Sequence, residues 1–399
     1  MGRTCFYVFS ACFLVEFGRA MYFLVISWVL YELTKSPAYT GLLVGLGFVP
    51  GLFLNLVIGV IVDRFHRKGL ILSANLLIIA VMISVTIAIG AGVAKPWLII
   101  GTHMLLQVTG SLYRPALQAF LPEAFAKEEL PKIFTRAGAA SDLGALLGSS
   151  LSGTVMAYFS AASSMAAVIC CFLLGTVALM PVKHKTALDR GHKKTTAVSD
   201  LVSGFTYLRN NTFLLGLFTI MFVGQLVFHT SAAFLPVYVK DFLNSSVQIY
   251  GIMAATISIG GIVAGILGTW WWKRSGRSVA TRSLLLVAAG LLCVGLSPSL
   301  PVSFVGVFLI GAGTTWIRVL LQTVQQMATD PQYHGRMASY RMLCNQSAVA
   351  IGGPILGWIA SHCGVESSYL ALLLPVTGAT LFSLFQRKAA GMNIPHTPT

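Results

Sequence analysis

The sequence predicts an all-α membrane protein with twelve transmembrane helices in two six-helix halves. Three observations predict this fold class: a strongly apolar composition, a dozen long apolar runs and an internal repeat. Of the 399 residues, 56% are hydrophobic and only 10% are charged, whereas a soluble domain carries about 25% charged residues. The mean hydropathy is +0.80. These values favour a polytopic membrane protein over several soluble domains in series.

Each apolar run is long enough for a membrane helix, which needs about 20 residues. The first run is too long for the core of a signal peptide and lacks a small-residue cleavage pattern, so we interpret it as a helix. The twelve runs cover roughly residues 5–31, 39–62, 70–92, 96–121, 137–160, 163–182, 213–240, 247–272, 279–298, 300–326, 338–362 and 366–387.

One long polar segment, residues 183–211, divides the chain into an N-terminal half (1–182) and a C-terminal half (212–399). Its first part, "KHKTALDRGHKKTT", is typical of a flexible linker on the cytoplasmic side. The following "VSDLVSGFTYLRN" predicts a short interfacial helix. The apolar residues expected on one face of that helix are Val198, Leu201, Val202, Phe205 and Leu208.

The distribution of Lys and Arg predicts the orientation in the membrane. With the N-terminus inside, the inner loops and tails hold 21 basic residues, and the outer loops hold only Lys35, Lys95 and Lys240. This asymmetry predicts that both termini are cytoplasmic. It also accounts for most of the net charge of +15. Since the basic residues form no aromatic-basic face, no nucleic-acid partner is expected.

Motifs of enzymes and metal sites are missing from the sequence. The seven cysteines lie in apolar runs without Cys-x-x-Cys or Cys/His ligand spacing, so we interpret them as small buried hydrophobic residues. No Walker A, Gly-x-Ser-x-Gly or His-Glu-x-x-His motif occurs. We therefore expect neither an enzyme nor an ATP-driven pump. No metal and no cofactor are expected, and an ion gradient, most simply of protons, would supply the energy.

The two halves repeat each other. Residues 40–69, "TGLLVGLGFVPGLFLNLVIGVIVDRFHRKG", resemble residues 250–278, "YGIMAATISIGGIVAGILGTWWWKRSGRS". "RPALQ" at Arg114–Gln118 has a counterpart in "RVLLQ" at Arg318–Gln322. Helix one carries Glu16 where helix seven carries Gln225. Two six-helix halves in parallel repeat, with sites near the membrane midplane, are a transporter architecture.

Polar residues inside the spans are the candidate functional residues, because an ionisable group in hydrocarbon costs about 2.5–3.5 kcal/mol and normally faces a cavity or a partner. Four pairs lie three or four residues apart and share a helix face. They are Glu16 with Arg19, Arg114 with Gln118, Gln225 with His229, and Arg318 with Gln322.

Each of these residues also has a simpler interpretation. Glu16 and Arg19 could form a static pair, and the arginines of helices four and ten could extend to the inner interface. Asp142 in helix five could pair with Arg114 or simply complement the helix dipole. His103 is expected to be a buried histidine with satisfied hydrogen bonds.

The loop "GVIVDRFHRKG" resembles the signature loop of the major facilitator superfamily, Gly-x-x-x-Asp-Arg-x-x-Arg-Arg/Lys. Other segments, including "YRPALQAFLPEAFAKEELPKI", resemble its branch of macrolide-efflux, siderophore-export and lysophospholipid-transport proteins. The resemblance implies a central cavity between helices one, four, seven and ten. In the loop, Asp63 is expected to act as a charge–dipole latch that favours one of two conformational states of the transporter. Its basic residues could be topology signals only. The signature positions are Gly59, Asp63, Arg64, Arg67 and Lys68.

Together these observations predict a proton-coupled exporter of a small anionic or zwitterionic molecule, similar to a metallophore or siderophore, that works by alternating access. Three arginines against one or two acids favour carboxylate or phosphate groups on the substrate. Glu16 and Asp142 are the expected proton carriers. The residues expected to bind substrate are Arg19, Arg114, Gln118, Gln225, His229, Arg318 and Gln322.

Three other functions stay open at this stage. The first is efflux of hydrophobic cations or macrolides, with Glu16 as the cation site. The second is uptake of lysophospholipids or organic anions, and the third is a membrane receptor or assembly protein that transports nothing. The expected location is a bacterial-type inner (plasma) membrane. The expected partners are the small-molecule substrate and the lipid bilayer, with the protein a monomer.

Overall fold

The structure is a computed structural model that describes residues 2–183, 197–330 and 333–389, and these residues are almost entirely helical. The predicted flexible linker at 184–196 lies outside the described residues. The α-helices are α1 Gly2–Thr34, α2 Pro37–Arg64, α3 Arg67–Gly90, α4 Pro96–Ala124, α5 Leu130–Tyr158, α6 Ala161–Leu179, α7 Ala197–Asn210, α8 Thr212–Val237, α9 Val247–Ile266, α10 Gly268–Ser275, α11 Val279–Leu296, α12 Leu300–Met327, α13 His334–Cys363, α14 Val365–Ala371 and α15 Leu373–Ala389.

The helix boundaries follow local signals in the sequence. Pro37 and Pro96 begin α2 and α4, at a position where the missing N–H breaks no helical hydrogen bond. Two apolar runs that the sequence predicts as single helices are broken. The run 247–272 becomes α9 and α10, which are separated at Leu267, and the run 366–387 becomes α14 and α15, which are separated at Leu372.

The predicted helix after the linker is present as α7. Its predicted apolar face is not uniformly buried, since Leu208 is 5% exposed and Phe205 is 55% exposed. The Phe205 ring lies 6.4 Å from the ring of Tyr340 on α13. The side chains of Val198, Leu201 and Val202 lie outside the description.

Ten helical segments of the described residues are long and apolar enough to cross a membrane. They comprise α1–α3, α6, α8, α9, α11–α13 and the joined pair α14–α15. The helices α4 and α5 are equally long but do not count among the ten; α4 carries Arg114 and Glu123, and α5 carries Asp142. The multi-pass helical fold is confirmed, and the count of twelve spans stays a prediction.

The chain forms two compact units. The first comprises Met1–Lys194 and Ala233–Ala255, and the second comprises Thr195–Ala232 and Thr256–Thr399. The end of α8 and the beginning of α9 therefore belong to the first unit. The predicted division into residues 1–182, 183–211 and 212–399 stays a prediction.

In the first unit, α1 packs against α5 and α6, while α4 packs against α2 and α3. Glycine allows the closest of these approaches. A Cβ atom at Gly144 or Gly148 of α5 would collide with the backbone carbonyl of Phe13 or Phe17 on α1. The side chains of Glu16 and Arg19 on α1 are largely enclosed by protein, at 13% and 14% exposed.

In the second unit, α11 packs against α12, α14 and α15. A Cβ atom at Gly224 of α8 would lie 2.6 Å from Cγ2 of Ile317, so α8 and α12 also approach closely. This contact brings the predicted residues of α8, Gln225 and His229, to the helix that carries Arg318.

Candidate functional site

The predicted charges of α1 and α4 form one cluster in the first unit. The Glu16 carboxylate lies between two guanidinium groups, and its side chain is 13% exposed. Nη2 of Arg114 lies 3.2 Å from Oε1 and 3.3 Å from Oε2 of this carboxylate. Nε of Arg19 lies 3.7 Å from Oε2, which is an ion pair but too long for a hydrogen bond. One carboxylate therefore serves two cations, which leaves the cluster with one excess positive charge.

A glycine on α4 determines where Arg19 lies. A Cβ atom at Gly110 would collide with Nη1 of Arg19 and would come within 3.2 Å of its Cζ. The Arg19 side chain is 14% exposed. Its Nε is buried and has no hydrogen-bond partner among the described residues. Arg114 is held differently, because 64% of its side chain is exposed while its guanidinium pairs with Glu16.

Three further polar side chains of α1 and α4 are fully buried near this cluster: Tyr22, His103 and Tyr113. The Tyr22 and His103 rings stack with centroids 6.0 Å apart and an interplanar angle of 10°. Neither tyrosine hydroxyl and neither ring nitrogen of His103 has a hydrogen-bond partner in the described part of the chain. His103 is therefore buried, as expected, but no described protein group satisfies its ring nitrogens.

The predicted residues of the second unit lie on α8 and α12. Nε2 of Gln225 donates a hydrogen bond to Nε2 of His229 across 2.7 Å. The guanidinium carbon of Arg318 lies 5.8 Å from the ring centroid of Phe228, a cation–π contact beside His229. Gln322 is half-buried one turn further along α12. The roles of these residues stay predictions.

Other predicted residues are less enclosed or lie outside the description. Gln118 on α4 and Asp142 on α5 are exposed, and their predicted roles in substrate binding and proton coupling remain predictions. The side chains of Gly59, Asp63 and Arg64 are not among those described, so the predicted latch is known only through its last two residues.

Those two residues, Arg67 and Lys68, tie the beginning of α3 to two other helices. Nη1 of Arg67 donates to Oε1 of Glu123 across 2.9 Å and to the carbonyl of Ala119 on α4 across 3.1 Å. Nζ of Lys68 donates to the carbonyls of Met180 and Val182, just after α6, at 2.6 and 2.9 Å. Arg67 and Lys68 therefore have bonding partners, beyond any effect on topology.

Sequence reasoning missed a second cluster, at the end of α1, which we call the α1-end cluster. Lys240 pairs with Glu32, and its Nζ lies 5.5 Å from the ring centroid of Trp28. Tyr31 donates a hydrogen bond to Asp241. Trp28 and Glu32 of this cluster also help to line a cavity of about 440 Å³. The only signal in the sequence was a set of acids and bases at the ends of two apolar runs.

Comparisons with known proteins identify the family and the fold of the chain. The profile of a family described as transmembrane secretion effectors, within the major facilitator superfamily, matches residues 3–394. Macrolide efflux protein A of Streptococcus pyogenes is 23% identical, and the match covers 87% of each chain. The staphyloferrin A transporter of Staphylococcus aureus (strain NCTC 8325 / PS 47) is 21% identical over 91% of each chain.

Among solved structures, a bacterial homologue of the human lysosomal transporter Spinster, in an inward-facing and unoccupied conformation, has the same fold. The TM-score is 0.80 at 13% sequence identity, and the alignment covers 99% of this chain and 100% of the other. At this identity the likeness establishes the fold alone.

Proposed function

The chain belongs to the transmembrane secretion effector family of the major facilitator superfamily, so it is a membrane transporter and not an enzyme. We propose that it exports a small zwitterionic or anionic molecule in exchange for protons. The proposal includes the finer architecture that this function needs. Twelve spans in two six-helix halves surround a central cavity, and both termini lie on the cytoplasmic side of the plasma membrane. The protein acts as a monomer by alternating access.

The excess positive charge around Glu16 carries this proposal. Two guanidinium groups share one carboxylate, and the partly exposed Arg114 can turn a donor toward an incoming ligand. Guanidinium groups bind carboxylates with two parallel hydrogen bonds, which fixes both the charge and the orientation of the ligand. Arg318 supplies a further cation in the C-terminal half. A substrate with at least one carboxylate suits this set of donors best.

We assign proton coupling to Glu16. Whether the proton competes with the substrate or binds together with it depends on the charge of the substrate. If a substrate ammonium group pairs with Glu16 while a substrate carboxylate pairs with an arginine, a proton on Glu16 competes with the substrate, as exchange requires. A purely anionic substrate behaves in the opposite way. Protonation of Glu16 then frees Arg114 for the anion, so that proton and anion bind together. This linkage favours zwitterions for export, and it makes organic-anion uptake the second candidate.

The test of substrate charge uses two compounds that the relatives' names suggest, staphyloferrin A and a macrolide. Both are offered to proteoliposomes that contain the wild type, Arg318→Lys or Arg318→Ala, with Arg3→Lys as the matched control for an exposed arginine. Loss of the two-pronged guanidinium should weaken staphyloferrin A transport by about 1.5–3 kcal/mol, as for a charged hydrogen bond. Arg114→Lys should have a smaller effect, because its guanidinium already pairs with Glu16.

Any transport of the macrolide should be the same in these variants as in the wild type, since a lipophilic cation needs neither guanidinium. If Arg318→Lys abolishes macrolide transport and leaves staphyloferrin A transport intact, the proposal is wrong and the protein is a drug exporter.

Coupling is tested separately with Glu16→Gln. This variant should lose export driven by a proton gradient and should keep substrate exchange at equal pH on both sides. Normal gradient-driven export by Glu16→Gln would move the proton carrier elsewhere, with Asp142 as the next candidate.

A further inference from the structure

Six polar atoms of α1 and α4 are buried without a hydrogen-bond partner among the described residues. One is Oγ of Ser27, and the other five are Nε of Arg19, Oη of Tyr22, Nδ1 and Nε2 of His103, and Oη of Tyr113. They belong to side chains that the proposed function does not fully use. Tyr22 is 0% exposed, and His103 and Tyr113 are each 2% exposed. These three side chains are therefore shielded from direct contact with bulk solvent.

Leaving such atoms without hydrogen bonds is unfavourable. A buried donor or acceptor without a partner costs about 1–3 kcal/mol, and five of them would cost about as much as the whole net stability of a typical domain. Buried water is the usual solution, and such a molecule typically makes about three hydrogen bonds to groups of this kind. Each of the five atoms can bond to a water molecule, because water both donates and accepts.

The five atoms follow the contact between two antiparallel helices. Going up α1, Glu16 contacts Arg114, Arg19 lies against Gly110, and Tyr22 stacks on His103. The numbers on α4 fall as those on α1 rise. At 1.5 Å per residue, Arg114 and His103 are about 16 Å apart along α4. The hydrocarbon core of a membrane is about 30 Å thick, so this polar path spans about half of it.

The His103 ring is closely surrounded by Gly47 and Phe23. A Cβ atom at Gly47 of α2 would lie 2.8 Å from Nε2 of His103. Phe23 packs on the ring with centroids 5.8 Å apart. A bulky apolar side chain would fill this space without unpaired nitrogens, so the site is not built simply for hydrophobic packing.

We propose that bound water molecules connect these atoms and that His103 relays protons along them to Glu16 from the outer side of the membrane. The proposal rests on the proposed function, with the N-terminus inside and Glu16 as proton carrier. In each transfer, one ring nitrogen of His103 accepts a proton from water, and the other ring nitrogen releases its proton to the next water. The proton ends on a carboxylate oxygen of Glu16, and the ring then returns to its first tautomer.

The experiment measures how fast Glu16 gains a proton, and it needs no substrate. The full-length protein in proteoliposomes receives an external acid jump, and the infrared band of the protonated carboxyl group is followed in time. The part of this band that disappears in Glu16→Gln belongs to Glu16. The variant His103→Gln keeps hydrogen bonding but cannot relay a proton. The matched control is His362→Gln, since His362 is exposed at the end of α13 and forms a hydrogen bond with the carbonyl of Trp358 on the same helix.

We expect His103→Gln to slow protonation of Glu16 by about tenfold or more, in line with the effect of a positioned proton-transfer group, and the control to leave it unchanged. Tyr22→Phe and Tyr113→Phe each remove one hydroxyl group and should slow protonation of Glu16 several-fold. These two variants replace His103→Gln in the test if that variant does not fold.

A wild-type rate in His103→Gln, or in both tyrosine variants if His103→Gln cannot be purified, overturns the relay and leaves the role of Glu16 intact. A carboxyl band that is unchanged in Glu16→Gln overturns both the relay and the coupling role of Glu16. The substrate-charge experiment with Arg318 is independent of either result, so the two failures can be told apart.

Discussion

Removal of the ion pair between Arg67 and Glu123 should measurably lower the free energy of unfolding. The pair joins the beginning of α3 to the end of α4, with 2.9 Å between Nη1 and Oε1. The Glu123 side chain is 7% exposed and the Arg67 side chain is 25% exposed, so solvent screens the pair only partly. The same guanidinium nitrogen also bonds to the Ala119 carbonyl. A charge-assisted bond of this kind contributes about 1.5–3 kcal/mol, whereas an exposed pair contributes about 0–1 kcal/mol.

A double-mutant cycle isolates this energy. Arg67→Ala, Glu123→Ala and the double variant are unfolded in mixed micelles, with tryptophan fluorescence as the signal. We expect a coupling energy of about 1.5–3 kcal/mol. The matched control cycle combines Lys68→Ala with Glu123→Ala, because Lys68 lies in the same turn but bonds to carbonyls after α6. Those two changes should be additive to within about 0.5 kcal/mol. Equal coupling in both cycles would refute the reasoning and leave Arg67 with a topological role only.

Three further predictions concern other parts of the chain. Gly110→Ala should displace the guanidinium of Arg19 and reduce export of staphyloferrin A. Gly101→Ala on the same helix should have no such effect, because Gly101 has open space around it. In a background without native cysteines, Lys240→Gln should open the α1-end cluster and raise the labelling rate of Val29→Cys by an impermeant thiol reagent; an unchanged rate would show that the cluster does not close the cavity. Asp63→Asn should preserve expression and slow turnover in the export assay, and normal turnover would remove the latch.

Much of the fold could be predicted from the sequence because its determinants are local. Whether a segment can span a membrane depends on length and composition, and these are properties of the segment alone. The helix α7 was likewise predictable from its periodicity. The breaks at Leu267 and Leu372 were not, because continuous apolar runs carry no mark of where packing interrupts a helix.

The candidate site was only half predictable. The sequence identified Glu16, Arg19 and Arg114 as unusual, since any charge within an apolar run needs a partner or a cavity. The spacing of three residues suggested Arg19 as the partner of Glu16. The structure adds Arg114, which is closer to the carboxylate although it lies 98 residues away along the chain.

By itself, the sequence determined that this protein is a helical membrane protein and which side chains are costly to place in the membrane, because both follow from composition and local spacing. Only the tertiary structure decided which of those side chains meet. Partners on different helices depend on how the helices rotate and how closely they approach, and here Gly110 and Gly47 set that approach for Arg19 and His103. For the same reason only the structure revealed that His103 is buried without a partner: a hydrogen bond between helices leaves no periodic trace in a sequence.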